Sequence, residues 1–526
     1  MSHKLSILVY MSARDVIPEF KALGENLGAL IAENKDVAIW GGGDAGLMGT
    51  FAQSSFLAGA ETFGVAHGGL ARSGHEVATN FATISMVPDN FQERIRIMQG
   101  AADAVIVLPG GYGSYQELLR LVKALEDGSV PKIPFILVNS KVDDVGFWDN
   151  AIAQLQLAVK RGHLKPWVLD YLRVVPDEQQ AYQAAQNFYQ GFNDAQWAAH
   201  KSQQLLYVPQ HHAPILNDSS SGSLLKHKHK KLPPNLVAVL GSSLGASELE
   251  PANREAFDVV SQLMDMIEHS GNKVICINSN RGMNNEIMSH AARRNILGMV
   301  LSTRPQMLDG RVGGYNFAGA PHAMFDNAAQ LSGFVTRKAQ KIVALPGADD
   351  LIMDVLSDFA IKSHRFSQTQ LLPFNVDGYY TQMLRQIQFM EQPRFAKEKV
   401  KSANGKDQMT GLATAGIAGD PNDPKRDPKS KLIVPFAFTS QDFFEQVDRM
   451  LTQDDHPAHY PAVKPDYRRK VDIPGIQLAN STAGLKVARA LLHGPDLARP
   501  DARTMRRVNE AIEIARNRRK EMLLAR

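Results

Sequence analysis

The sequence predicts an α/β protein made of two tandem Rossmann-like domains, each a doubly wound parallel sheet, with a helical tail at the C-terminus. Three observations support this fold class. Short apolar runs alternate with amphipathic helical patterns over the first ~200 residues, which is the rhythm of βαβ units. The same alternation starts again near residue 236, after a stretch without periodicity. A chain of 526 residues also exceeds the length that one hydrophobic core usually serves.

The elements of the first half follow from the spacing of apolar residues and from the glycines between them. The last predicted helix of this half, at 147–162, ends at Gly162, because glycine commonly terminates a helix. In chain order, the predicted strands lie at 5–11, 36–42, 61–67, 102–111 and 133–139, and the predicted helices lie at 20–34, 50–59, 90–101, 115–126 and 147–162.

Composition divides the chain into four segments and one insertion. Residues 206–234 are rich in Ser, His, Lys and Pro, which predicts a linker or a surface excursion. Residues 402–431 are rich in Gly, Pro, Asp and Lys and predict a mobile loop, because they bury too little apolar area to offset the cost of ordering. We therefore expect a first domain at 1–205, a second domain with this insertion at 235–455, and a basic helical tail at 456–526.

The second half repeats the first in a way that spacing can test. "KIVALPGADDLIMDVL" at 341–356 resembles the segment at 104–119. When Pro346 is aligned on Pro109 without gaps, Asp326-Asn327 falls on Asp89-Asn90, twenty residues upstream in both copies. Agreement at both ends indicates an internal duplication.

Composition also narrows the classes of function. The chain is 44% hydrophobic and 21% charged, which is ordinary for a globular protein. No apolar stretch reaches the ~18 residues that suggest a membrane-spanning helix, and the N-terminal run is typical of a first strand rather than a signal peptide. The single cysteine, Cys276, excludes an intrachain disulfide framework and suits a reducing compartment, so we expect a cytoplasmic protein without a membrane partner.

Basic charge is concentrated in two places, although the formal net charge is only +4. These are "KHKHKK" at 226–231 and the tail at 506–526. Nucleic-acid binding is one interpretation, but a solvated linker and a solvated helix face are favoured, so a nucleic-acid partner is not expected. Val508, Ile512 and Ile514 form a narrow apolar stripe that predicts docking of the tail on another surface.

Two glycine loops in the first half predict a phosphate site. "WGGGDAGLMGT" at 40–50 and "PGGYGS" at 109–114 each join a strand to a helix, where unpaired amides and the helix dipole favour an anion. Neither is a Walker A loop or a GxGxxG fingerprint, and the alternative is that the glycines only make tight turns. The candidate nucleotide-binding residues are Gly42, Gly43, Gly46, Met48, Gly49, Gly110, Gly111, Tyr112, Gly113 and Ser114.

Glu117 and Arg94 are the candidate catalytic residues. Glu117 is predicted to lie in the first turn of the helix after Gly113, where an acid also stabilises the helix dipole without any catalytic role. Arg94 lies on the preceding helix, fifteen residues before Pro109, and reaches the same crevice if the two loops share a sheet edge. The residues alone leave both the structural and the catalytic interpretation open.

"GGGDAGLMG", the "ER" at 93–94 and "PGGYGSYQE" resemble the LOG ("Lonely Guy") family of nucleoside 5′-monophosphate phosphoribohydrolases over nearly all of residues 1–200. The resemblance implies hydrolysis of the N-glycosidic bond of a nucleotide to free base and ribose 5-phosphate. It implies that the 109–114 loop holds the 5′-phosphate and that Glu117 lies by the ribose, where it stabilises oxocarbenium-like charge and helps to activate water. Arg94 would bind the phosphate or help the leaving base.

This sequence departs from the family pattern at three positions. Ser114 replaces a threonine and keeps its hydroxyl, whereas Ile95 replaces a lysine and removes a charge. Ser12 is the single candidate for the family's opening Gly-Ser-Ser loop. These departures bear on the preferred base.

The second half has lost the pattern. Leu331 aligns with Arg94, Asp354 aligns with Glu117, and Asp349 and Asp350 place negative charge where the first half would hold phosphate. We expect a degenerate, catalytically silent partner. Because enzymes of the resembled family are typically dimers with active sites near the subunit interface, the fused copy would form an intrachain pseudo-dimer. Arg337 and Lys338 are expected to be solvated rather than to reach the other half.

The leading hypothesis is therefore a cytoplasmic phosphoribohydrolase that needs no cofactor and no metal, acts on a nucleoside 5′-monophosphate, and is compatible with a homo-oligomer. The alternative is a non-catalytic nucleotide-binding sensor or regulator of the Rossmann type, towards which Ile95 and the altered opening loop lean. Lysine decarboxylation is discounted, because no feature of the sequence indicates a pyridoxal phosphate site.

Overall fold

The structure is a computed structural model of the full chain. The residues that it describes are 4–68, 80–88, 91–204, 215–217, 235–242, 251–308, 320–325, 327–339, 341–360, 370–390, 392, 395–401, 407–410, 418–419, 434–452, 476–478, 482–498 and 500–525.

The first half is built on a parallel sheet, which has eight strands within the described ranges. The strand order is β21-β4-β3-β2-β1-β5-β6-β9. All residues of β1, β2, β5 and β6 are buried, because helices cover both faces of a parallel sheet and its strands become nearly continuous apolar runs. The strands are β1 (Ser6–Tyr10), β2 (Val37–Trp40), β3 (Glu61–Val65), β4 (Ile84–Met86), β5 (Ala104–Val107), β6 (Phe135–Val138), β9 (Leu172–Val175) and β21 (Ile476–Leu478), with a small hairpin of β7 (Lys141–Val142) and β8 (Val145–Gly146) beside them.

The second half is built on a sheet with seven strands in the described part of the chain, in the order β10-β14-β13-β12-β11-β15-β16. Only β10 is antiparallel to its neighbour. The strands are β10 (Ile215–Asn217), β11 (Leu236–Leu240), β12 (Lys273–Ile277), β13 (Leu297–Thr303), β14 (His322–Phe325), β15 (Lys341–Ala344) and β16 (Gln370–Pro373).

The two sheets share the order of their six central strands. In each sheet the chain moves outward from the first strand through three neighbours, and then returns to the other side of that first strand. The order therefore reverses between β1 and β5 in the first half and between β11 and β15 in the second. In such sheets ligands bind at this reversal point, outside the carboxyl ends of the strands. The parallel-sheet α/β class predicted from the sequence is confirmed.

Helices connect the strands and cover the sheets. No helix among the described residues is long and apolar enough to cross a membrane. In the first half they are α1 (Pro18–Glu33), α2 (Gly46–Ala58), α3 (Phe91–Ala101), α4 (Tyr112–Asp127), α5 (Asp149–Lys160), α6 (Glu178–Phe188) and α7 (Asp194–Gln203), with a 3₁₀ helix at Pro166–Tyr171. After residue 250 they are α8 (Pro251–His269), α9 (Gly282–Arg293), α10 (Arg304–Leu308), α11 (Ala328–Lys338), α12 (Asp349–Ala360), α13 (Thr381–Met390), α14 (Ser440–Thr452), α15 (Thr482–Ala498) and α16 (Ala502–Leu524), with a 3₁₀ helix at Val376–Gly378.

The halves meet through equivalent helices. α4 packs against α12, and α5 packs against α13. Gln154 of α5 accepts a hydrogen bond from the Met383 amide at 3.3 Å, and Gln386 of α13 accepts one from the Ala151 amide at 3.1 Å. Each half thus gives one buried glutamine to the backbone of the other, which is the reciprocal pattern of a two-fold interface.

A buried ion pair lies in the centre of this interface. Arg120 of α4 binds both carboxylate oxygens of Asp354 of α12, with its Nε 2.8 Å from Oδ1. Gln116 and Ser332 donate to the same carboxylate. Asp354 was expected as the counterpart of Glu117 at a degenerate site, but the structure uses its side chain to join the halves.

Part of the predicted linker is ordered as a strand. β10 lies within 206–234 and pairs with β14 at the edge of the second sheet. The remainder of that segment, including the basic run at 226–231, lies outside the described residues. Most of the predicted mobile loop at 402–431 does too, although β17 (Ala396–Lys401) forms a hairpin with β18 (Asp407–Thr410), and β19 (Ala418–Gly419) pairs with β20 (Val434–Pro435).

The tail returns to the first half. β21 extends the first sheet beside β4, and α16 packs against α15 and α2. Val508 is buried, but Ile514 is 40% exposed, so the predicted stripe is wrong at that position and is completed by Ala511 and Ala515 instead. The helix turns these smaller residues toward its partner because they lie at the spacing of one helix face.

The basic face of the tail is only partly solvated. Arg518 and Arg519 donate to the Ala82 and Ala60 carbonyls, which precede β4 and β3, and both guanidinium groups lie over the Phe56 ring. These two arginines are therefore part of the docking contact and not of a solvated face.

Replacing Asp354 with Asn tests the interface. Arg120 would keep its burial but lose its counter-charge, so we expect the free energy of unfolding to fall by about 3 kcal/mol. Urea unfolding of the full chain, followed by circular dichroism, measures the change. The double variant Arg120→Met/Asp354→Leu should recover most of the lost free energy of unfolding, because it leaves no buried charge without a partner.

Asp377→Asn is the matched control for that measurement. Asp377 also faces an arginine of the other half, Arg161, but the charges are 3.8 Å apart and the carboxylate is 45% exposed. Its loss should cost less than about 1 kcal/mol. Equal effects of the two substitutions would show that the buried pair contributes nothing special to the interface.

Candidate functional site

The candidate site lies at the reversal point of the first sheet. Three loops meet there, at the carboxyl ends of β1, β2 and β5, and they carry Ser12, Gly41 and the 109–111 turn. Ser12 is buried, and its carbonyl accepts the Met48 amide at 3.0 Å. The two glycine loops predicted from the sequence therefore share one edge of the sheet.

Arg94 is held at the ends of two strands by all three of its side-chain nitrogens. Nε donates to the Val65 carbonyl at 2.9 Å, Nη2 donates to the Gly41 carbonyl at 3.0 Å, and Nη1 donates to Oε1 of Glu117 at 3.2 Å. Arg94 is 5% exposed, so these acceptors replace the water that the guanidinium loses on burial. The α3 helix thus delivers a rigidly oriented cation to the reversal point.

The sequence did not single out Gly41. A Cβ atom on this residue would overlap Nη2 of Arg94. The position therefore accepts only glycine if the guanidinium is to reach the Gly41 carbonyl. Gly41 is the first glycine of the "GGGDAGLMG" loop, so the sequence pattern could have indicated it. Its contact with Arg94 could not be predicted from the loop, because the two residues are 53 positions apart in the chain.

Glu117 lies in the second turn of α4, not in the first turn as predicted. The helix begins at Tyr112 with Gly111 as its N-cap, three residues before the predicted start at 115. The capping interpretation therefore loses its basis, because the helix dipole acts mainly on the first turn. Glu117 is 7% exposed, and its partner at this edge is Arg94.

Tyr10 is a second residue that the sequence did not indicate. It ends β1, next to the reversal point, and its side chain is buried. Burial, and then the charge of Glu117, raise the pKa of the Tyr10 hydroxyl well above its usual value. Tyr10 therefore stays neutral beside the Glu117 carboxylate.

The 109–114 loop leaves space for a ligand at one position. Gly110 packs closely against Ser114, whereas nothing lies within 4 Å of the place where a Cβ of Gly113 would be. Gly113 is in the first turn of α4, whose amides have no acceptor within the helix. A side chain at Gly113, in the first turn of α4, would therefore point into open space near the positive end of the helix dipole.

The 40–50 loop is more occupied by the protein itself. The Leu47 and Met48 amides, in the first turn of α2, donate to the Arg14 and Ser12 carbonyls. Gly46 has a φ of +57°, and a Cβ there would overlap the backbone of Arg14. These residues serve the tight-turn role that was the alternative to phosphate binding.

The other predicted residues of this loop are also close-packed. Met48 is 5% exposed and lies over Gly41 and Gly43, while Gly42 and Gly49 pack against the backbone of Ala66 and Asp44. Their contact with a nucleotide stays a prediction. Ile95, at the family's lysine position, is buried in the core, so that position does not face the crevice.

The second half has the same backbone at its own reversal point. Gly282 opens α9 with a φ of +69°, as Gly46 opens α2, and the Asn284 amide donates to the Ser242 carbonyl at 3.1 Å, as Met48 does to Ser12. The side chains differ. Asp349 at the start of α12 binds Gln154 and Tyr379, and burial raises the pKa of its carboxyl to about 6.

The arrangement in the first half places one carboxylate and one guanidinium at the sheet edge where α4 begins. It can therefore bind an anion at α4 and present a carboxylate to the atoms beside that anion. Among the described residues, no three His, Cys, Asp or Glu side chains form a group that could hold a metal ion.

Of the two basic residues of the second half that were expected to be solvated, Lys338 is exposed, and the side chain of Arg337 lies outside the described residues.

Comparisons with known proteins find relatives of the first half. The protein family described as "Possible lysine decarboxylase" matches residues 48–185. A cytokinin riboside 5′-monophosphate phosphoribohydrolase of Mycobacterium tuberculosis is 32% identical over 181 residues, which is 34% of this chain and 92% of that protein. A probable enzyme of the same name from Oryza sativa subsp. japonica is 32% identical over 153 residues, 29% of this chain and 64% of that protein.

Solved structures give a weaker likeness. The Moco carrier protein from Chlamydomonas reinhardtii is 17% identical, and the match covers 36% of this chain and all of that chain at a TM-score of 0.27.

Alanine at Gly46 and at Gly113 should have opposite effects on stability. Gly46→Ala forces a side chain into a left-handed conformation against the Arg14 backbone, and we expect a loss of about 2 kcal/mol. Gly113→Ala adds a methyl group in open space on a helix, and should raise stability by up to about 1 kcal/mol. Thermal unfolding of both variants checks this contrast. A destabilised Gly113→Ala protein would contradict the open space at α4.

Proposed function

The chain belongs to the LOG family of nucleoside 5′-monophosphate phosphoribohydrolases, and from that premise we propose that its first half hydrolyses the N-glycosidic bond of a nucleoside 5′-monophosphate to free base and ribose 5-phosphate. The observation that carries the proposal is the buried Arg94–Glu117 pair, with Glu117 about one turn along α4 from Gly113, where a side chain would point into open space. Its relatives are named for this reaction on cytokinin riboside 5′-monophosphates.

The 5′-phosphate would bind at the N-terminus of α4. Gly113 offers the room, and the first-turn amides of Gly113 and Ser114 offer donors at the positive end of the helix dipole. The Gly110, Gly111 and Tyr112 backbone would complete this cradle. Because the first-turn amides of α2 are already engaged, the 40–50 loop would shape the wall of the crevice rather than bind the phosphate.

Glu117 would act at the ribose, one helical turn deeper than the phosphate. As the bond from C1′ to the base nitrogen breaks, positive charge develops on the sugar ring, and a nearby carboxylate stabilises it. The oxygen of water bonds to C1′, and Glu117 accepts the water proton. That proton passes to the leaving nitrogen, so the carboxylate is regenerated and the products are a neutral base and ribose 5-phosphate.

Arg94 would position Glu117. Its three nitrogens already bind Val65, Gly41 and Glu117, so its fork is oriented by the strand ends before any substrate arrives. The guanidinium compensates the charge of the buried carboxylate. To bind phosphate directly, Arg94 would have to give up at least one of its hydrogen bonds to Val65, Gly41 and Glu117.

We propose that the second half is catalytically silent. It has Leu331 at the position of Arg94 and Asp354 at the position of Glu117. The Asp354 carboxylate is bound to Arg120 in the interface between the halves. Its contribution would be the interface that supports α4. We also place the protein in the cytoplasm, because a chain with the single cysteine Cys276 has no intrachain disulfide and suits a reducing compartment. A homo-oligomer stays an expectation.

The alternative is a nucleotide sensor without turnover. Ile95 favours it, because the family's charged side chain at this position is replaced here by a buried apolar one. The sensor would bind nucleotide at the same helix N-terminus but release no base.

Glu117→Gln separates these functions. We expect wild-type protein to release base from at least one of AMP, GMP, IMP, CMP and UMP, and the variant to lose at least ~100-fold in kcat/KM, because the amide neither stabilises positive charge nor accepts the proton. Chromatography of the free base measures release, and calorimetry measures nucleotide binding. Glu25→Gln, on the exposed surface of α1, is the matched control and should keep full activity. Saturable binding without release from any nucleotide would favour the sensor.

Gly113→Ala tests the phosphate position. The methyl group should fill the space that the phosphate needs, so we expect nucleotide affinity to fall at least ~10-fold while stability is kept or raised. Calorimetric titration with a nucleoside 5′-monophosphate gives the affinity. Unchanged affinity in a folded variant would place the phosphate elsewhere.

A further inference from the structure

A second guanidinium group lies one helical turn from Glu117. Arg120 follows Glu117 by three residues on α4, and side chains at this spacing are neighbours on a helix, with Cβ atoms about 5–6 Å apart. Both side chains are buried, and opposite charges at this spacing attract each other. α4 therefore carries a second cation close to the carboxylate that the proposed reaction uses.

The second half of the chain holds this guanidinium in the interface. Nε of Arg120 lies 2.8 Å from Oδ1 of Asp354, and Nη2 binds Oδ2, so the carboxylate accepts from both arms of the fork. Gln116 donates to Oδ1 at 2.7 Å, and Ser332 donates to Oδ2. Asp354 is 1% exposed, so these donors replace the water that its carboxylate loses on burial. The fork of Arg120 therefore faces α12.

The two aligned carboxylates have different surroundings. Asp354 accepts from the three side chains just described, whereas Glu117 has Arg94 as its ion-pair partner. In the gapless alignment of the two halves, the counterparts of Arg120, Gln116 and Ser332 are Ser357, Met353 and Ile95. These counterparts are one hydroxyl side chain and two buried apolar side chains, and none of them is a cation. The pseudo-two-fold relation between the halves thus brings no second guanidinium to Glu117.

Arg120 depends on Asp354 to compensate its charge. Within the described part of the chain, its Nη1 atom is buried and has no hydrogen-bond partner. Without the Asp354 carboxylate, the cation would need another acceptor, because an unpaired buried charge is strongly destabilising. The neighbouring side-chain acceptors on α4 are the Glu117 carboxylate and Oε1 of Gln116, which is also buried and without a partner among the described residues. The carboxylate is the stronger acceptor for a guanidinium group.

Asp350 is a further acceptor near Arg120, but it compensates another cation. It lines the same cavity of about 20 Å³ at the interface. Lys123 lines this cavity as well, and the charge of Asp350 contributes to raising the pKa of Lys123. A released Arg120 would compete with Lys123 at Asp350, whereas at Glu117 it would join Arg94.

We propose that Asp354 is a positioning residue for hydrolysis in the first half: it retains Arg120 in the interface and thereby keeps a second guanidinium group off Glu117. This inference rests on the proposed function. Glu117 has to stabilise positive charge on the ribose and accept a proton from water, and a carboxylate bound by two guanidinium groups does both less well, because each cation lowers its affinity for a proton. Arg94 orients the carboxylate, and Asp354 keeps it available. The silent half thus acts on the reaction through one buried ion pair.

Turnover of the full chain tests this role. Asp354→Asn should lower kcat at least ~10-fold and change KM by less than ~3-fold, because a second cation weakens the carboxylate while the phosphate position on α4 is kept. Arg120→Met/Asp354→Leu should return kcat to within ~3-fold of wild type, because no cation is left to bind Glu117. Chromatography of the free base measures release. Unchanged kcat in folded Asp354→Asn protein, or a double variant as slow as the single one, would overturn the proposal.

Ser332→Ala is the matched control for a purely structural effect. It removes one buried hydrogen bond from the Asp354 carboxylate and leaves the ion pair with Arg120 in place. Its kcat should therefore stay at the wild-type level although its Tm falls. A loss of kcat equal to that of Asp354→Asn would show that the interface acts only through its stability, which contradicts the proposal.

A double-mutant cycle on stability tests the same contact without turnover. In the Asp354→Asn background, Glu117→Gln and Arg120→Met should be coupled, with unfolding equilibrium constants that depart at least ~10-fold from independent effects, because the released guanidinium binds Glu117. With Asp354 present, the coupling should stay below ~3-fold. Equal coupling in both backgrounds would mean that Arg120 turns to Gln116 or Asp350 instead, and would refute the proposal.

The two kinds of measurement separate this inference from the proposed function. Coupling that appears only without Asp354, in a protein that releases no base, would sustain the role of Asp354 in keeping Arg120 off Glu117 while the proposed function fails. Base release in a chain whose coupling is independent of Asp354 would sustain the proposed function and overturn the role of Asp354.

Discussion

The candidate site depends on the burial of one guanidinium group. Arg94 is almost fully removed from water, so its N–H groups must meet acceptors from the protein, and they meet the Gly41 and Val65 carbonyls and the Glu117 carboxylate. This requirement fixes the ends of β2 and β3 relative to α4. It also demands a glycine at position 41, because any side chain there would occupy the place of the guanidinium. The candidate catalytic carboxylate of Glu117 is thus positioned, through Arg94, by backbone groups at the ends of two strands.

A second buried arginine has a different task. Arg120 follows Glu117 by one helical turn, and it binds Asp354 of the other half. One helix therefore presents a carboxylate to the crevice and a cation to the interface. This explains why the residue aligned with Glu117 in the second half is not free to act as a catalyst. In a pseudo-symmetric pair, the two copies of a position can take different roles once one chain encodes both.

The two reversal points share a backbone and differ in electrostatics. In the first half, Arg94 and Glu117 form a buried ion pair, and a side chain at Gly113 in the first turn of α4 would point into open space. In the second half, Asp350 stands before the same helix position, and Leu331 and Ile277 make the wall apolar. A doubly wound sheet supplies a crevice in either case, and the side chains at the strand ends set its charge and polarity.

The fold class could be predicted from the sequence, because buried parallel strands and amphipathic helices leave strong apolar patterns. The sequence also placed Arg94, Glu117 and both glycine loops at one sheet edge, because the carboxyl ends of parallel strands lie together. Short or polar strands such as β4 and β9 were missed, since three or four residues carry little periodic signal. The folded chain was needed to show which loop amides are already bound and that Asp354 pairs with Arg120, because these are contacts between residues far apart in the chain, about which local pattern contains no information. The place of Glu117 in the second turn follows from a helix start that the glycine pattern put three residues too late.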